Sequence, residues 1–127
     1  MIMEDFVTFE VAKKLKEKGF VQGFNVYGIR PIYYNSDTIK FISDIGAYEA
    51  EYFGENISCP TISQVLKWLR EEKDLHIVID IWERTWGYDI LSLPDGNCLH
   101  WTAYNEKINS YEKAALDGIE YVLNNLI

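Results

Sequence analysis

From Thr61 to Trp82 the chain reads Thr61-Ile62-Ser63-Gln64-Val65-Leu66-Lys67-Trp68-Leu69-Arg70-Glu71-Glu72-Lys73-Asp74-Leu75-His76-Ile77-Val78-Ile79-Asp80-Ile81-Trp82. Within it the apolar spacing changes from the period of a helix to that of a strand. Thr61 and Gln64 form a Thr-x-x-Gln capping box behind Pro60, in which the Thr61 side chain accepts from the third backbone N–H and Gln64 reaches back. The helix it opens runs to about Lys73, burying Ile62, Val65, Leu66 and Leu69, with Trp68 at the edge and Lys67, Arg70 and Glu71 outside. From His76 the alternation is strict: Ile77, Ile79 and Ile81 point one way, and His76, Val78, Asp80 and Trp82 the other.

Working toward the C-terminus, Glu83-Arg84-Thr85 reads as a turn, Trp86 to Leu93 as a second strand, and Pro94-Asp95-Gly96-Asn97 as a turn leading into a third strand, Cys98 to Tyr104. The last helix begins at Asn109 or Ser110 and buries Tyr111, Ala115, Ile119, Val122 and Leu126. Gly118 lies on the same stripe. A glycine inside a helix costs about 1 kcal/mol relative to alanine, so its expected use is close approach of helix to sheet.

Toward the N-terminus, Val7 to Gly19 reads as a helix capped by Thr8, with Val11, Ala12 and Leu15 as its apolar stripe and Gly19-Phe20 as a Schellman ending. Its other face carries Lys13, Lys14, Lys16 and Lys18, a solvated face or an anion site. Phe24 to Ile29, Ile32 to Tyr34 and Ile39 to Ile45 read as short strands. Gly46 to Cys59 reads as an acidic, Tyr-containing connecting loop with a helical turn at Ala47 to Phe53.

With 127 residues the chain has the length of one domain. Residues 1–56 are expected to elaborate a core at 60–127, and the expected class is α+β: a three-stranded antiparallel meander with two helices on one face. The formal net charge of -8 repels phosphate backbones and anionic lipid. Glu4 and Asp5 stand where a signal peptide needs positive charge, and no apolar stretch approaches a membrane span, so a cytoplasmic setting is expected. Cys59 and Cys98 give no disulfide framework.

The strings Thr8-Phe9-Glu10, Lys16-Glu17-Lys18-Gly19-Phe20, Tyr33-Tyr34-Asn35, Pro60-Thr61, Lys67-Trp68-Leu69-Arg70-Glu71 and Tyr111-Glu112-Lys113-Ala114 resemble, in order, small proteins encoded by phages and mobile elements of gut Bacteroides-type bacteria. The resemblance implies a genomic setting and no mechanism. The helix, three strands, helix order of Thr61 to Ile127 also looks like a double-stranded-RNA-binding domain. Such domains open their final helix with a Lys cluster that meets phosphates. Here that turn reads Asn109-Ser110-Tyr111-Glu112-Lys113, so the layout is similar and the binding surface is missing.

Few residues suggest catalytic or metal chemistry. Cys98 and His100 on one strand face, with His76 or Asp80 nearby, supply too few convergent ligands for a metal and no orienting group for a nucleophile. Ser110-x-x-Lys113 matches an acyltransferase signature without its partner motifs, and Ser110 reads as a helix cap. Asp80 and Asp89 are a carboxylate pair or two wet sheet residues. Asn56-Ile57-Ser58 is a glycosylation sequon, idle in a bacterial cytosol, and Gly87 and Gly96 are isolated glycines rather than a phosphate loop. No catalytic, cofactor-binding or metal residue is expected.

The unusual feature is aromatic content of 15%, including four Trp and nine Tyr. Trp82, Trp86, Tyr88, Trp101 and Tyr104 are either cross-strand packing or an exposed platform, and the expected platform is Trp82, Trp86 and Tyr88 on the face away from Ile77, Ile79 and Ile81. The expected function is therefore a non-enzymatic interaction or accessory protein with a protein partner or a second copy. The alternatives are a nucleic-acid-associated factor using the Lys13 to Lys18 face and a small enzyme around Cys98, His100 and Asp80.

Overall fold

The computed structural model of the chain describes residues 5–20, 31–36, 38–41, 57–102 and 108–127. It is an α+β structure with three helices and two three-stranded antiparallel sheets among those residues. The backbone falls into two compact units, Met1–Thr61 and Ile62–Ile127, and each has its own sheet.

In the first unit, helix α1 (Phe9–Glu17) starts where its cap dictates: the Val11 N–H donates to the Thr8 hydroxyl oxygen at 3.2 Å. It stops at Gly19, whose φ of +87° lets the Phe20 N–H return to the Leu15 carbonyl at 3.0 Å, the Schellman closure. Val11, Ala12 and Leu15 are buried, as the stripe requires. Strands β1 (Pro31–Asn35), β2 (Thr38–Phe41) and β3 (Ile57–Ser58) pair in the order β2-β1-β3. Strand β3 falls at the end of the stretch read as loop. The unit is closed by its ends: Phe6 bridges Thr61, the Val7 N–H donates to the Pro60 carbonyl at 3.1 Å, and the Tyr33 hydroxyl donates to the Val7 carbonyl. Of the other expected elements, Phe24 to Ile29, the part of Ile39 to Ile45 beyond Phe41, and the helical turn at Ala47 to Phe53 lie outside the described residues.

The second unit runs α2 (Ile62–Glu72), β4 (Leu75–Trp82), β5 (Thr85–Ser92), β6 (Cys98–Trp101) and α3 (Tyr111–Asn125), with sheet order β4-β5-β6. Ile62, Val65, Leu66 and Leu69 are the buried side of α2, which packs on β4 and on α3. Strands β4 and β5 pair without interruption from Leu75↔Ser92 to Trp82↔Thr85. Only Glu83 and Arg84 remain in the turn, with φ of +47° and +68°. This is the primed hairpin geometry that matches strand twist, built from two residues that rarely adopt it. Strand β6 is short, and its register shifts between Ile90 and Leu91.

Helix α3 is capped by Ser110, whose hydroxyl accepts from the Lys113 N–H at 3.1 Å, and Lys113 also bonds Asp117 at 2.7 Å. Its buried side is Ala114, Ala115, Gly118, Ile119, Val122 and Leu123. Two of the expected core positions are corrected: Tyr111 is exposed and Leu126 half-buried, because the stripe turns away from the sheet at both helix ends. At Gly118 a Cβ would sit 3.0 Å from Ile77 Cγ2 and 3.2 Å from Tyr88 Cδ2, so the helix rests directly on β4 and β5. A leucine there has no room, and overpacking of a core costs about 1–3 kcal/mol. Gly118→Leu is therefore expected to lower the urea midpoint at unchanged slope. A raised midpoint, as helix propensity alone would give, contradicts the packing.

Candidate interaction surface

Residues directly opposite in an antiparallel pair share a face. Because Ile81 pairs with Trp86 and Ile79 with Tyr88, Trp86 and Tyr88 lie on the isoleucine face, and only Trp82 lies on the other. The expected common face for Trp82, Trp86 and Tyr88 is thus corrected. Reading the turn as three residues pairs Trp82 with Trp86, whereas the two-residue turn pairs Trp82 with Thr85 and flips everything beyond it. Tyr88 is buried against the α3 backbone at Gly118, and Trp86 meets Tyr111 edge-on at 5.9 Å.

The outer face carries a different set. Trp82 and Asp80 stand on β4, Asp89 pairs with Val78 on one side and with Trp101 of β6 on the other, and these four lie along a diagonal. The ends of the diagonal are open: Trp82 is 62% and Trp101 61% exposed. Leu99 in β6 is also exposed, as is Ile81 at the hairpin end of the inner face. Trp101 belongs to the aromatic set legible in the sequence. What selects it is its pairing with Asp89, which is the parity of Trp82. Tyr104 lies outside the described residues.

Between the two indoles, Asp89 is held above the ordinary carboxylate range, first by partial burial and second by the charge of Asp80. The two carboxylates are diagonal neighbours, since Asp80 is opposite Gly87 and Asp89 opposite Val78. This is an acidic, aromatic strip, able to take up basic and apolar groups through charge and ring-face contacts.

The other chemistry-bearing residues are dispersed. His100 pairs with Ile90 on the inner face, where it stacks on Tyr121 of α3 at 3.7 Å and 7°. The register shift sets Cys98 opposite Leu91, so Cys98 and His100 do not share a face as a regular strand would give, and Asp80 is on the face opposite His100. Cys98 is exposed, with its thiol 3.5 Å from the His100 carbonyl. His76 Nδ1 is buried with no hydrogen-bond partner among the described residues. No group of three His, Cys, Asp or Glu is placed to hold a metal among the described residues. In the first unit, Lys13 sits over the Phe9 ring at 5.4 Å while Lys13, Lys16 and Lys18 are exposed. Cys59 is fully buried, and burial pushes its thiol up to about 11, a hydrogen bond with Tyr33 opposing the shift. No helix among the described residues is long and apolar enough to cross a membrane.

No family model, curated protein or solved structure matches the chain.

Two outcomes are expected. Thiolate is the reactive form of cysteine, so native alkylation with iodoacetamide at mildly alkaline pH labels Cys98 alone, and Cys59 reacts only after denaturation; peptide mass mapping reads this. For Asp89 the sign follows from its raised folded value. The folded chain holds that proton more tightly than the unfolded chain, so stability is greatest below the ordinary carboxylate range and is lost as pH rises through the raised value. Asp89→Asn is expected to raise the urea midpoint at neutral pH, with the gain closing as pH falls into the carboxylate range. A gain independent of pH contradicts the electrostatic origin.

Proposed function

We propose that the chain is a non-enzymatic interaction protein, of the kind carried by phages and mobile elements, and that it meets a protein partner through the Trp82, Asp80, Asp89, Trp101 strip. The observation that carries this is the exposure of two tryptophans on one sheet face with a carboxylate beside each. Large apolar side chains held in water at defined positions mark contact sites, and tryptophan supplies much of the energy of such contacts. The reading takes α2 and α3 to share the Ile77 face, which their packing on each other and on β4 supports. It also takes the partner to offer basic and apolar groups, in keeping with a net charge of -8. An enzyme built on Cys98, His100 and Asp80 draws no support from their placement on different faces.

The test is affinity capture from extract of the native host, comparing the wild type with a Trp82→Ser, Trp101→Ser variant that melts at the same temperature. The expected result is a partner retained by the wild type at high stoichiometry and lost by the variant, with retention weakening as salt rises. Identical capture by both proteins overturns the reading.

A further inference from the structure

The two edges of the second sheet are treated differently. Strand β6 is four residues long and carries a register shift, two of the devices by which proteins blunt an edge. Strand β4 is eight residues long, pairs with β5 through eight consecutive residues without a bulge, and contains neither Pro, Lys nor Arg. Because Glu83 and Arg84 form a two-residue turn, Trp82 and Thr85 are the hydrogen-bonded pair beside it, and the even-numbered residues of β4 bond to β5. The Leu93 N–H to Asp74 carbonyl bond of 2.9 Å keeps the same parity at the far end. The N–H and C=O groups of Leu75, Ile77, Ile79 and Ile81 therefore point away from the sheet, where β4 has no neighbouring strand among the described residues.

We infer that β4 pairs antiparallel with β4 of a second copy of this chain, about a two-fold axis at Val78, joining two three-stranded sheets into one of six. The strand's own sequence selects this register. With the axis at Val78, Ile77 meets the second copy's Ile79, Leu75 meets Ile81, and on the outer face His76 meets Asp80, each pair occurring twice. Moving the axis to Ile77 sets Asp74 against Asp80, and moving it to Ile79 sets Asp80 against Val78; both lose the pairing of imidazole with carboxylate. The Val78 register gives the His76 ring, whose Nδ1 has no partner among the described residues, a carboxylate across the seam. It also covers Ile81, which is 54% exposed in the single chain.

Sedimentation equilibrium of the full chain across the micromolar range tests it, with the expected mass rising from one chain to two. His76→Asp and Asp80→His each place like groups across the seam twice and are expected to weaken the dimer about tenfold, while the double swap His76→Asp, Asp80→His restores it. Ile81→Lys, at an exposed position, is expected to give a folded monomer. In a Cys98→Ser background, Val78→Cys is expected to close an interchain disulfide on the axis and His76→Cys is not. A wild type that stays monomeric throughout, single variants that dimerise unchanged, or equal cross-linking at both positions overturns the inference. A dimer lost on Trp101→Ser and indifferent to the edge variants overturns it too, and assigns the seam to the outer face instead.

Discussion

The contact on which the second unit depends is the seating of α3 on the sheet at Gly118. With Ile77 and Tyr88 closer than ordinary van der Waals contact to where a side chain would begin, the helix lies nearer the strands than a residue with a Cβ would readily allow. That closeness is what brings Ala115, Ile119 and Val122 to complete burial and sets the Tyr121 ring flat on His100. Burial of this kind contributes roughly 25 cal/mol per Å² of apolar surface, and it commits the inner face of the sheet to structure. What the sheet itself presents to other molecules must come from its outer face, its edges and its hairpin end.

Much of this architecture is legible in the residues. Thr8 and Ser110 cap, Gly19 with Phe20 terminates, and the switch of period between Leu69 and Ile77 separates helix from strand, because each depends on interactions within a few residues. The facing of β5 and β6 is not local. It hangs on whether the turn after Trp82 holds two residues or three, and the sequence Glu83-Arg84 lacks the Asn-Gly signature that announces the two-residue form. One residue of difference moves Trp86 and Tyr88 to the inner face, Tyr88 into the core, and leaves Trp101 outside. The shift within β6 separates Cys98 from His100 in the same way, and nothing in Cys98-Leu99-His100 marks it. Strand β3 is two residues long, and its existence is decided by β1 rather than by its own composition.

The outer face shows a stability sacrifice of a familiar form. Two carboxylates on a diagonal repel, and a threonine or lysine at either site would be the better sheet residue. The first unit offers the contrast: the buried Tyr33 hydroxyl and Cys59 thiol are paired with each other or with backbone.

The turn at Glu83 and Arg84 also bears on the order of events in folding. Left-handed backbone costs a non-glycine residue roughly 1–2 kcal/mol, so this hairpin cannot be led by its turn, as hairpins with Asn-Gly turns are. The turn must be imposed by strands already held in register, and what holds them is α3, distant in sequence. A glycine at Glu83 or Arg84 would relieve the left-handed backbone there without touching the packing that holds the strands.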